Sequence, residues 1–156
     1  MPRYFEVFFA ADPMTELSEV EAHALPSYVV EADAGAIRRM EVWLHGKLER
    51  VVYPDTRPRP EIAELQRTRD AGVSTWITFV VAREADEARY SIWRYTPGGE
   101  LEHRSDYVST PTQTFEKWYY ADGKFGGGFE RYYDEQGEQI EVIEIRPDGR
   151  RIKVKF

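Results

Sequence analysis

The sequence contains no cysteine. A disulfide scaffold, a thiol nucleophile, a thiolate zinc site and a cysteine-ligated iron–sulfur cluster are therefore excluded. Without a disulfide framework a reducing compartment is favoured, and a cytoplasmic location is expected. Long apolar runs are missing as well. No stretch has the length a bilayer span needs. Glu6 interrupts the apolar start of the chain, which is too short for a secretory leader. No membrane association is expected. The three histidines, His23, His45 and His103, lie far apart and show no metal-ligand spacing. No glycine-rich phosphate loop is followed by lysine and serine or threonine, and Gly-x-Ser-x-Gly is absent. No cofactor or metal is expected, and no residue is assigned a catalytic role.

One further absence is local. No lysine or arginine occurs between Arg3 and Arg38, an interval holding Glu6, Asp12, Glu16, Glu19, Glu21, Glu31 and Asp33. The chain has 28 acids and 21 bases, so the net charge of −7 equals the seven acids of this interval. A field of one sign attracts a basic partner and repels phosphate backbones. Nucleic acid is therefore not an expected partner, because its binding needs a cationic footprint. Glu16, Glu19, Glu21, Glu31 and Asp33 are the candidate acidic face for a basic protein.

The 156 residues, 42% hydrophobic and 31% charged, suffice for one domain, 1–156, with an unstapled core. Tyr4–Ala10 reads as a strand broken by Asp12-Pro13. Ser18 and Glu21 have the spacing of a capping box, opening a short helix with Leu17, Val20 and Ala24 as its apolar stripe. Ser27–Glu31, Ile37–Leu44 and Leu48–Tyr53 read as strands, with turns at Asp33-Ala34-Gly35 and His45-Gly46. Three prolines make 54–60 irregular. Pro60 then opens the best helix, Glu61–Ala71, with Ile62 and Leu65 buried and Gly72 ending it. The rest is β: Trp76–Ala82, Tyr90–Tyr95, His103–Ser109, Lys117–Tyr120, Phe129–Tyr133, Ile140–Ile145 and Arg151–Phe156. Glycines 99, 123, 137 and 149 mark hairpin turns, with Asp148-Gly149 the clearest. Gly126-Gly127-Gly128 marks a bulge, a bend or a close backbone approach.

Twelve aromatic residues lie between Tyr90 and Tyr133. Tyr and Trp bury apolar area while satisfying a polar tip, so they suit interfaces and pockets. Trp93, Tyr95, Tyr107, Trp118, Tyr120 and Tyr133 are the candidate aromatic pocket or patch. At least one of the pairs Trp93–Tyr95 and Trp118–Tyr120 is expected to pack between sheet and helix.

The expected fold is α+β: a large, curved, mainly antiparallel meander sheet, open or barrel-like, packed against one main helix. The expected function is a non-enzymatic protein-binding module. Its concrete form is an acidic immunity- or inhibitor-type protein that masks a basic partner, an analogy of size and charge. Two alternatives stand beside it. One is a barrel or cone whose Tyr/Trp-lined pocket takes a small apolar or aromatic ligand. The other is an enzyme using carboxylates and tyrosines.

Overall fold

A computed structural model describes residues 1–6, 15–31 and 37–155. The distal part of the first expected strand, the turn at 33–35 and Phe156 lie outside them. The described elements are β1 (Arg3–Phe5), β2 (Glu16–Leu17), α1 (Glu19–His23), β3 (Ser27–Glu31), β4 (Met40–Leu44), β5 (Lys47–Tyr53), α2 (Pro60–Arg67), β6 (Ser74–Glu84), β7 (Glu87–Tyr95), β8 (Leu101–Ser109), β9 (Gln113–Tyr120), β10 (Phe125–Tyr133), β11 (Gln139–Ile145) and β12 (Arg151–Lys153). Hydrogen bonding orders the strands β12-β11-β10-β9-β8-β7-β6-β5-β4-β3-β1-β2. Among the described residues the sheet is mainly antiparallel and is not closed. Contacts divide the chain into two units. The first comprises Met1–Phe79 with Arg94–Leu101, and the second Val80–Trp93 with Glu102–Phe156.

In the first unit the side chains of β4 alternate up to a register shift between Val42 and Trp43, and Leu44 beyond it is exposed. Met40 and Val42 face one side of the sheet and are buried. Val29 lies opposite Val42, and Val52 opposite Met40. With Phe5 these side chains form a cluster against which Trp76 packs. The turn between β4 and β5 has both central residues at positive φ, His45 at 47° and Gly46 at 76°. That matches the right-handed twist of a two-residue hairpin.

One pairing departs from the meander expectation: β5 and β6 are parallel. Parallel neighbours need a crossover, and α2 supplies it. Ile62 is fully buried, and Gln66 Nε2 donates to Thr75 Oγ1 at 2.5 Å, tying the helix to β6. The helix ends at Arg67 rather than Ala71. Thr68 Oγ1 donates to the Glu64 carbonyl at 2.8 Å, and the Asp70 N–H reaches back to the Leu65 carbonyl at 2.9 Å. The chain turns there because the Asp70 side chain is drawn into the interior. In α1 the capping box is present, but the apolar stripe is not. Ala22 is its buried residue, while Val20 is 81% exposed. A helix of five residues has room for little more than one inward position.

The second unit is a run of antiparallel hairpins with no helix among its described residues. Three of its turns share one pattern. At 120–124, 134–138 and 146–150 the first N–H donates to the fifth carbonyl, and the glycine N–H donates to the first carbonyl. Gly123, Gly137 and Gly149 all take φ between 82° and 87°. This is a turn closed by a left-handed bulge residue, a position where glycine avoids the Cβ clash. The first unit repeats it at 96–100.

Candidate binding surfaces

Among the described residues of the acidic interval, Glu16, Glu19 and Glu21 are exposed, and two of the acids are held in ion pairs. Arg3 and Arg38, the arginines that bracket it, take two of its acids as partners. Arg3 grips Glu16 through two bonds of 3.0 Å, and Arg38 grips Glu31 at 2.7 and 3.0 Å. The Arg3 guanidinium holds the Glu16 carboxyl below its usual range. Glu21 accepts from the Ser18 N–H at 2.7 Å, which holds its carboxyl low as well. Glu19 lies beside Tyr4, whose phenol is pushed up by its partial burial and then by that carboxylate. Asp33 lies outside the described residues. Lysine and arginine counts along the sequence could not reveal that the flanking arginines fold back onto the interval.

A second acidic region is built by topology. In the second unit, alternate hairpin turns share one end of the strands. The β6–β7, β8–β9 and β10–β11 turns lie at the same end, spaced by about 10 Å for each two strands. Between 83 and 89 and between 134 and 138 this end carries Glu84, Asp86, Glu87, Asp134, Glu135 and Glu138. Only Arg83 and Arg89 oppose them there, and Arg89 bonds Glu87 at 2.8 Å. These acids are dispersed in sequence, so no run of charge announces them.

The aromatic candidates split between the faces. Register places Trp118 opposite Ser105, and His103 opposite Tyr120. Tyr107, Trp118 and Tyr120 therefore share a face, and alternation along β10 adds Tyr133. Trp118 and Tyr120 meet edge to face with centroids 5.0 Å apart, and His103 lies 5.7 Å from Trp118. Tyr107 stacks on Tyr90 at 4.8 Å and donates to Glu116 at 2.9 Å. Glu116 also takes Arg131 at 3.3 Å. Trp93 belongs to the opposite face. Ser91, two residues before it, donates to Asp106 at 2.9 Å, and Asp106 alternates with Tyr107. Tyr95 lies in the first unit, where burial pushes its phenol up.

The triple glycine explains the seat of Trp118. Register shifts between Phe125 and Gly127, so the expected bulge is present. A Cβ at Gly126 would fall inside the Trp118 ring, and one at Gly128 would collide with the Glu116 carbonyl. The indole thus packs against bare backbone of the neighbouring strand rather than against a helix. Tyr120 remains 50% exposed. Ile152 lies opposite Glu144, which lies opposite Phe129, and Phe129 opposite Glu116. Ile152 therefore shares the Trp118 face and is 39% exposed.

The first unit contains a buried polar network that the sequence reading missed. Arg39 donates to Asp70 through Nη2 at 2.6 Å and Nε at 3.1 Å, and to Glu41 at 2.8 Å. Tyr53 donates its phenol to the same Asp70 carboxylate. Arg39 and Asp70 are both buried. Burial opposes the charge on Arg39, but hydrogen bonds to Asp70 and Glu41 outweigh it and raise its pKa. Burial, then the Asp70 carboxylate, pushes the Tyr53 phenol well up. Every polar group here faces another, so the network clamps the α2–β6 loop to the sheet. Nearby in sequence, Trp76 is flanked by Arg50 at 4.1 Å and Arg94 at 4.4 Å from its ring. Burial lowers the Arg50 pKa, and Arg94 adds to that.

Among the described residues no three His, Asp or Glu side chains gather to hold a metal ion. Nor is any helix among them long and apolar enough to cross a membrane. No family model matches the chain, and no curated protein or solved structure matches it.

Proposed function

We propose that this chain is a non-enzymatic protein-binding module that docks a basic partner. The observation that carries the reading is the face of the second unit bearing Tyr120 and Ile152. Both are large, apolar and exposed, and both share a face with Trp118. Exposed aromatic and aliphatic side chains beside a polar rim are the surface chemistry of protein interfaces. The basic character of the partner follows from the net charge of −7 and from the acidic strand end of the same unit. An acidic inhibitor-type protein masking a basic partner is the concrete form of this proposal. With Glu16 and Glu31 held in ion pairs, the acidic strand end joins the exposed Glu19 and Glu21 as attracting surface.

The test is a binding measurement on a partner captured by the tagged full chain. Tyr120→Ser together with Ile152→Ser should weaken that complex by at least about tenfold with the fold intact. Association should slow as salt rises. An affinity unchanged by both the double substitution and salt would overturn the reading.

A further inference from the structure

We propose that the outer edge of β12 takes up an extended acidic segment of another protein as an added antiparallel strand. The proposal concerns the backbone edge of this strand, not the face bearing Tyr120, and does not depend on a basic partner. β12 stands last in the strand order, and both it and its neighbour β11 belong to the second unit. The Arg150 carbonyl accepts from the Arg146 N–H at 2.8 Å, and the Val154 N–H donates to the Val142 carbonyl at 2.9 Å. Residues 150, 152 and 154 therefore turn their backbone groups towards β11, and alternation turns those of Arg151 and Lys153 outward. Among the described residues no strand pairs with that outer side. Both side chains are exposed, Arg151 by 56% and Lys153 by 70%.

Charge selects the occupant. Over 146–155 the chain carries Arg146, Arg150, Arg151, Lys153 and Lys155 against one acid, Asp148. The carboxylates that meet these bases come from the inner strands and the turn. Arg151 reaches Glu130 of β10 at 2.5 Å, and Lys153 lies 3.7 Å from Glu141 of β11. Arg146 lies 3.4 Å from Glu144, and Arg150 2.6 Å from Asp148. An added strand would set its own side chains about 5 Å from Arg151 and Lys153, on the side away from those acids. An acid there continues the alternation of sign that runs from Glu130 to Arg151, whereas a base meets like charge. Between the two bases Ile152 is 39% exposed and matches an apolar residue. The fitting segment therefore alternates acidic and apolar residues. Basic residues also guard edges against unwanted pairing, and here they bar a second copy. Antiparallel pairing of two β12 strands about Ile152 would set Arg151 against Lys153 twice.

The probe is a fluorescein-labelled peptide, Thr-Glu-Val-Glu-Val-Glu-Thr, titrated with the full chain and read by anisotropy. Replacing its glutamates by lysines should weaken binding at least about tenfold. In antiparallel pairing, residues opposite Arg151 and Lys153 exchange both backbone bonds with them. Methylating the backbone nitrogens of the glutamates should therefore weaken binding at least about tenfold, and methylating those of the valines should not. This pair of peptides separates strand addition from attraction by charge alone. Lys153→Ala keeps every backbone group and should weaken the glutamate peptide by about twofold to fivefold. Arg151→Glu together with Lys153→Glu should reverse the preference, so that the lysine peptide binds better. Binding of neither peptide by the wild type would overturn the proposal, as would equal binding of both. Equal effects of the two methylations would overturn it as well. So would self-association of the wild type that the double reversal abolishes, because a second copy would then occupy the edge.

Discussion

The two units of this chain hold their strands together by different means. In the first, β3, β4 and β5 bury Val29, Met40, Val42 and Val52 completely or nearly so, a helix crosses over to make β5 and β6 parallel, and it ties to β6 beside a buried ion network. In the second, each strand pairs with its sequence neighbour, and most side chains are half-buried. Order there comes from backbone ladders, repeated turns and cross-strand pairs such as Tyr90 on Tyr107. The difference teaches where a mutation should hurt. In the first unit, removing one partner strands a buried charge. In the second, the backbone conformation and its tight approaches carry more of the specification.

The sharpest way to break this contrast is Asp70→Ala. It leaves Arg39 buried without its main carboxylate, which should cost about 3–5 kcal/mol in urea unfolding. A loss no larger than that of a surface ion pair would show that the network is not the clamp described above. The same network sets a pH dependence. The Tyr53 phenol is raised in the folded state, so the unfolded chain loses its proton first as pH rises. Its contribution is fully present below the unfolded value of about 10 and is lost as pH rises beyond it. Urea midpoints between neutral and alkaline pH should fall, and Tyr53→Phe should flatten that fall. Tyr95 and Tyr132 are raised too and will retain part of it.

In the second unit the largest expected effect is at Gly126. Gly126→Val drives a side chain into the Trp118 ring and should cost about 1–3 kcal/mol. Pairing it with Trp118→Ala in a double-mutant cycle should recover a large part, and strict additivity would deny the contact. Gly149→Val isolates the backbone term, since nothing lies within 4 Å of a Cβ there. A cost of about 1 kcal/mol is expected from the left-handed conformation alone. Thermal denaturation resolves it, and a neutral result would show that the turn relaxes.

What the sequence determined by itself is the local structure. Asp148-Gly149 and His45-Gly46 are turns because their backbones need positive φ, and short-range chemistry suffices to mark them. The capping box of Ser18 and Glu21 is local in the same sense. Alternation in β4 placed Met40 and Val42 inward, and the α+β class followed from one strong helix among many strands. Only the tertiary structure decided what depends on distant pairing. Arg39 and Asp70 lie 31 residues apart, and nothing in their neighbours marks either as buried. The parallel β5–β6 pair depends on where α2 crosses, which no turn signal encodes. Trp118 found a seat on glycine backbone because a bulge shifted the register, whereas composition alone suggested a helix-covered core. The acidic strand end exists because a meander brings alternate turns to one side, so charges far apart in the chain come to lie along one end of the strands.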